Sequence, residues 1–190
     1  MSTKTFYLQS QGEFFHIYNR GVNQEPIFLE NRNYDYFIQR IGEYYEPAKM
    51  EIVSYCLMPN HFHFIVRQVE ANGVTEFFKG VCGGYVKAVN KAYVRSGHLF
   101  EGKYKMKFID TNEYLIHLSR YIHLNPVRAG LVMAPECWSY SSYSAYTGVD
   151  SEIDIKSEYI LHQFNGIAGY MDFVRNYKVE DKKKIEELLF

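Results

Sequence analysis

Tyr55-Cys56-Leu57-Met58-Pro59-Asn60-His61-Phe62-His63-Phe64-Ile65-Val66-Arg67 reads as two short strands joined by a tight turn at Met58-Pro59-Asn60. Strand side chains alternate faces with a period of two, so His61 and His63 point one way while Phe62, Phe64 and Val66 point the other. Two neutral imidazoles side by side on a rigid strand are half of a metal site. The alternative is a pair of half-buried histidines in an aromatic-rich sheet. Two ligands seldom suffice, so the metal reading needs a third donor from elsewhere in the chain.

The segments around this hairpin decide the fold class. Residues 14–19 read as a first strand, followed by a turn containing Gly21. Residues 30–46 read as a helix with Tyr34, Phe37, Ile38, Ile41 and Tyr45 on one face, with Asn31 or Asn33 at its start and Pro47 at its end. Residues 74–95 repeat the helical period at Val74, Phe77, Phe78, Val81, Tyr85, Ala88, Val89 and Ala92. Gly83-Gly84 in its middle calls for close packing or a kink, since each glycine costs about 1 kcal/mol relative to alanine. A fourth strand follows over 104–109. Thr111 or Asn112 then caps a helix over 113–125, which Pro126 is expected to stop.

The first six of these elements run β-α-β-β-α-β. That order predicts an α+β, ferredoxin-like split β-α-β sandwich, an antiparallel four-stranded sheet with helices on one face. The first and third strands are central in that topology, which puts His61 and His63 in mid-sheet. Whether they face the packed helices or turn away from them is left open by the sequence.

One domain is the natural expectation for 190 residues, and a hydrophobic content of 47% with 23% charged is ordinary for a soluble protein. The 18 tyrosines stand out, as stacking surface or as the filling of a tyrosine-rich core. Cys56, Cys82 and Cys137 form no metal or disulfide pattern, which fits a reducing, cytoplasmic location. The first ten residues lack the apolar run of a signal peptide, and no later stretch is apolar enough to span a bilayer. The net charge of −1 hides a division: residues 79–128 carry nine basic side chains against three acidic, while the flanks lean acidic. A basic middle attracts phosphate locally, although a solvated helix face gives the same pattern.

The helix at 113–125 has a core stripe at Leu115, Leu118 and Ile122. At 100° per residue His117, Tyr121 and Asn125 fall within about 80° of one another beside that stripe. With the histidine pair, this makes a candidate three-ligand site of His61, His63 and the side-chain oxygen of Asn125, with Tyr121 next to the ion. Tyr114, two turns before Tyr121 on nearly the same face, is the rival tyrosine. His123 points away from it and reads as structural or solvent-exposed, and His98 reads as a packing residue of its loop.

Three stretches then add up: Pro59-Asn-His-Phe-His-Phe-Ile-Val66, Gly97-His-Leu-Phe-Glu-Gly-Lys-Tyr104 and Arg120-Tyr-Ile-His-Leu-Asn-Pro-Val-Arg-Ala-Gly-Leu-Val132. In their order and spacing, with Trp138-Ser-Tyr-Ser-Ser142 beyond them, they resemble the motifs of the REP-associated tyrosine transposases. These are single-tyrosine transposases of the HUH type, named for histidine, hydrophobic residue, histidine. The likeness runs over roughly residues 14–178. It implies an endonuclease and strand transferase acting on single-stranded or hairpin DNA, with a ferredoxin-like fold. It matches His61 and His63 to the histidine pair, Tyr121 to the nucleophile, and Asn125 to the polar residue that completes a magnesium or manganese site. Histidine donors are unusual for magnesium, so zinc or manganese also suits them.

Arg20, Gln24, Lys79, Lys87, Lys91, Arg95, Lys103, Lys105, Lys107, Arg120 and Arg128 are the candidate DNA contacts, with Arg128 also placed to cap its helix. In the family the turn after the first strand tends to read Arg-Gly-x-x-Arg. Here it is Arg20-Gly21-Val22-Asn23-Gln24, and the glutamine keeps base-edge hydrogen bonding but loses the charge. The expected organisation is a catalytic domain over 1–149 with a helical extension over 150–190 packed on it, working as a monomer or a homodimer. Two rival functions are a catalytically idle module that binds palindromic or hairpin nucleic acid, and a zinc hydrolase using His61 and His63.

Overall fold

β1 (Phe14–Arg20), β2 (Met50–Met58), β3 (His61–Gln68) and β4 (Lys105–Ile109) form a four-stranded sheet in the order β2-β3-β1-β4, every neighbouring pair antiparallel. The computed structural model describes residues 10–47 and 49–177. The first nine residues and the charged run over 178–187 lie outside them. Helix α1 (Asn31–Tyr44) connects β1 to β2, and α2 (Gly73–Ala92) connects β3 to β4. This is the expected split β-α-β arrangement with β1 and β3 in the middle.

The alternation read from the hairpin sorts the two faces of the sheet. Phe15 and Ile17 of β1 and Phe62, Phe64 and Val66 of β3 are fully buried under Phe37 and Ile41 of α1 and Phe78, Val81 and Tyr85 of α2. Each such side chain contributes about 1.5–3 kcal/mol of burial. The other face carries His16, Tyr18 and Arg20 on β1 opposite Ile65, His63 and His61 on β3. The histidines thus turn away from α1 and α2.

That second face is covered over part of its area by α3 (Asn112–Arg128). Leu115, Leu118 and Ile122 pack on Val53, Cys56, Met58 and Ile65, as the stripe in the sequence requires. Thr111 caps the helix, its hydroxyl oxygen accepting from Tyr114 N at 3.1 Å. Pro126 does not stop it. The helix continues to Arg128 and ends at Gly130, whose φ of +70° is easy for glycine. Gly130 N donates to Val127 O and Leu131 N donates to Pro126 O, a paired C-terminal closure that decides where the helix stops.

The remaining chain locks α3 in place. Trp138 Nε1 donates to Leu57 O, Leu57 N donates to Tyr140 O, and Tyr55 N donates to Ser142 Oγ, so Trp138–Ser142 covers the outer edge of β2. Beyond it come a short α4 (Glu158–Leu161) and α5 (Gly166–Arg175). Tyr170 of α5 is fully buried, its hydroxyl 2.7 Å from His123 Nδ1 and 3.1 Å from Ser119 Oγ. His123 Nε2 lies 2.8 Å from Ser142 Oγ. His123 is therefore the hub of a buried polar network joining α3, α5 and the edge of β2, and burial pushes its pKa down to about 3.

Candidate active site

The part of the second face that α3 leaves open is a cleft of about 840 Å³. Its lining includes His16, Tyr18, Arg20, Gln24, Asn60, His61, His63, Glu101, Lys103, Lys105 and Tyr121. One wall comes from the Gly97–Tyr104 stretch. Leu99 and Phe100 are its buried anchors, while His98, expected to pack the loop, is exposed. Val22 N donates to Leu99 O and Glu101 N donates to Arg20 O, so this wall follows the end of β1. The turn after β1 needs Gly21 for space, because a Cβ there would lie 2.0 Å from Glu25 O.

The two expected histidine ligands sit together, ring centroids 5.1 Å apart and planes at 80°. Each has one ring nitrogen already engaged. His61 Nδ1 lies 2.7 Å from Asn60 Oδ1, and His63 Nδ1 lies 2.9 Å from His16 Nε2. Nε2 of each is the position left for a ligand. Burial pushes the pKa of His61 down to about 4. Burial, with the neighbouring His16 and His61 adding to it, holds His63 well below the usual histidine range. Both are neutral at pH 7, the form that binds metal.

Tyr121 reaches this pair from α3. Its ring meets that of His63 edge to face with centroids 5.6 Å apart, and the Arg128 guanidinium stands 5.0 Å over it. The phenol and both imidazoles belong to one chain, so no second copy is needed to bring them together. Tyr114, the rival, is 3% exposed with its hydroxyl buried and unpartnered, and burial raises its pKa far above the normal range. Asn125 follows one turn after Tyr121 but does not line the cleft. It is buried, and its Nδ2 has no hydrogen-bond partner.

Among the described residues no group of three or more histidine, cysteine or carboxylate side chains could hold a metal ion. The histidine pair nevertheless suits a divalent cation. His61 and His63 offer two neutral nitrogens toward the cleft, while Asn125, the third expected donor, stands one turn after Tyr121 outside the cleft lining, and its unpartnered atom is the Nδ2 donor, not the oxygen that would ligate.

The expected DNA contacts divide into groups. Arg20, Gln24, Lys103 and Lys105 line the cleft, and Arg20 forms an ion pair with Glu101 across its mouth. Lys107 is on the same sheet face but half-buried, 5.8 Å from the Tyr114 ring. Lys79, Lys87 and Lys91 are exposed on α2, in the layer on the other side of the sheet. Arg95, just past that helix, is 3.9 Å from Glu25.

Arg120 is not at the surface. It is 3% exposed, donates to Phe173 O at 3.2 Å, and stacks over Phe173 at 4.0 Å, so it fastens α5 to α3 instead of meeting a phosphate. His117 turns with it, accepting at Nδ1 from Arg120 Nη2 at 2.9 Å.

The sequence reading missed His16, Tyr18, Asn60 and Glu101. The first two were legible in principle. They stand two residues apart on a strand predicted to be central, the same alternation that singled out His61 and His63. Asn60 and Glu101 depend on loop geometry that no periodicity carries.

Comparison with known proteins adds the lineage. A 23% identical relative from Haemophilus influenzae, provisionally named a REP-associated tyrosine transposase, aligns over 165 residues, 77% of this chain and 88% of that protein. A solved structure of a REP-associated tyrosine transposase bound to a REP hairpin superposes with a TM-score of 0.63 at 16% identity, covering 78% of this chain and 92% of that one. The model of the IS200-like transposases matches residues 14–125, a span that begins with β1 and closes on Asn125, taking in His61, His63 and Tyr121. The chain belongs to the IS200-like transposase family.

Proposed function

We propose that this transposase cuts and rejoins single-stranded or hairpin DNA through a covalent bond to Tyr121, with a divalent cation held by His61, His63 and the side-chain oxygen of Asn125. The observation that carries the reading is the meeting of Tyr121 and His63, 5.6 Å between rings, in a cleft also lined by His61, Arg20, Lys103 and Lys105. The hairpin in the solved relative supports DNA of that kind as the partner.

A phosphodiester is anionic, and nucleophilic attack concentrates more charge on its non-bridging oxygens. Bound magnesium or manganese would supply Lewis-acid stabilisation of that charge. The protein's own side chains do the rest. Arg20, Lys103 and Lys105 hold the phosphates on either side of the scissile bond. The Tyr121 phenol gives up its proton to solvent and its oxygen attacks phosphorus in line with the departing 3′ oxygen. A 5′-phosphotyrosine bond forms, the P–O3′ bond breaks, and the 3′ oxygen takes up a proton. One phosphoester bond replaces another, so a different 3′-hydroxyl can reverse the step and join strands without ATP.

The test is denaturing-gel detection of a covalent adduct with labelled hairpin oligonucleotides and manganese. Tyr121→Phe is expected to abolish the adduct, and Tyr114→Phe to leave it. An adduct that survives Tyr121→Phe overturns the assignment. DNA binding by the parent protein with no adduct under any divalent ion would identify a binding module instead.

A further inference from the structure

Resting on that reading, we infer that His16 and Asn60 are positioning residues: each holds the Nδ1 side of one metal-binding imidazole so that Nε2 is the coordinating atom. A histidine that binds metal through Nε2 must carry its ring proton on Nδ1, and an acceptor placed there fixes both tautomer and ring orientation. Both imidazoles have an outer partner of that kind.

Asn60 is the clearer of the two. Its Nδ2 donates to Gln24 O at 3.1 Å, which fixes the amide's orientation because a carbonyl cannot accept from Oδ1. Asn60 Oδ1 is then the atom 2.7 Å from His61 Nδ1 and can only accept, so the proton is on Nδ1. The frame behind it is firm. Gly21 N donates to Asn60 O at 2.8 Å, and Ile27 N and Phe28 N donate to Pro59 O at 2.8 and 3.0 Å. Gln24 itself sits at φ +60°, which turns its carbonyl toward Asn60. The turn that follows β1 therefore reaches the first histidine through one amide.

His16 does the same for His63 from within the sheet. It is fully buried, its ring is nearly parallel to that of His63 with centroids 5.1 Å apart, and its Nε2 is 2.9 Å from His63 Nδ1. Its other nitrogen, Nδ1, is buried with no partner. A residue kept in the interior with half of its hydrogen bonding unmet is explained by what the other half does. When Nε2 of His63 is coordinated, Nδ1 becomes a donor, and His16 Nε2 is the acceptor in position.

The experiment is manganese affinity of the full chain by isothermal titration in the absence of DNA, with 15N imidazole shifts reporting the tautomer of His61 and His63. Asn60 is in a surface turn, so Asn60→Ala keeps the fold. We expect it to weaken manganese binding by roughly tenfold and to shift the His61 tautomer signal, while Asn60→Asp, which retains the acceptor, stays within about threefold of the parent. His16→Phe is expected to fall by ten- to hundredfold, and His16→Gln, whose amide oxygen can accept from Nδ1, to recover most of the loss. Should His16→Phe fail to fold, the Asn60 pair decides the question alone. Equal loss in Asn60→Ala and Asn60→Asp, or no loss in either alanine or phenylalanine variant, overturns the inference. A parent protein that binds no manganese sinks the metal reading together with it, an outcome separate from a parent that binds and variants that bind equally well.

Discussion

Arg128 shows how much a single side chain near Tyr121 is asked to do. Its guanidinium is 5.0 Å over the phenol ring and 5.8 Å over that of Tyr177, an exposed cation–π arrangement ordinarily worth about 0.5–1 kcal/mol. In the proposed reaction that charge also stands beside the developing transition state. Arg128→Ala should slow single-turnover adduct formation about tenfold, and an unchanged time course would mean the contact only packs the ring. At this scale the sequence was readable wherever a residue's placement follows from its neighbours in the chain. His61, His63 and Tyr121 were placed by alternation and helical spacing. Arg120 was misplaced because nothing near it in sequence shows that Phe173, 53 positions on, will cover it. His123, read as structural or solvent-exposed, is structural: it is fully buried, with partners from residues 142 and 170 that its sequence neighbours do not reveal.

Among the elements, α2 gives the sharpest contrast, since packing requires only one of its two adjacent glycines. A Cβ on Gly84 would come 2.2 Å from the Arg40 guanidinium, which is held by Gly80 O at 2.9 Å and stacked over Tyr44 at 4.9 Å. A Cβ on Gly83 would meet nothing. Gly83→Ala should therefore raise stability by about 1 kcal/mol through helix propensity. Gly84→Ala should lose that gain and about 1 kcal/mol more as Arg40 is displaced. Urea unfolding of the two variants checks both, and equal effects would contradict the packing argument. The sequence offered close packing or a kink for this pair, and the uninterrupted helix shows close packing, at Gly84 alone of the two. Pro126 teaches the opposite lesson. A proline in the last helical turn removes one hydrogen bond, but the paired closure at Gly130 lies beyond it and sets the boundary.

On the scale of the whole molecule, three buried histidines (His16, His63 and His123) and the half-buried His61 make stability depend on pH. Burial sets His16 and His123 at about 3 and His61 at about 4, and holds His63 well below its usual value, against an unfolded value near 6.5. A folded pKa below the unfolded one means that unfolding takes up protons between the two. Stability is thus full above about pH 6.5 and falls as the pH drops toward 4. Each histidine that stays neutral in the fold adds about 1 kcal/mol per pH unit to that fall near pH 5, lessened by residual structure in the unfolded chain. Urea midpoints that stay flat from pH 7 to 5 would show that these histidines are protonated in the folded state. The overall topology was legible because the order of strands and helices admits few arrangements. The face chosen by the histidines was not, because it depends on which side α1 and α2 take.

The central claim is that Tyr121, and no other phenol in the cleft, carries the DNA. The direct measurement is to trap the covalent adduct formed with a hairpin oligonucleotide and manganese, digest it with trypsin and nuclease, and locate the nucleotide by fragmentation mass spectrometry. The account predicts the nucleotide on Tyr121, the only tyrosine in the tryptic peptide 121–128. A nucleotide on Tyr114, in peptide 108–120, or on Tyr18 of β1 would contradict it.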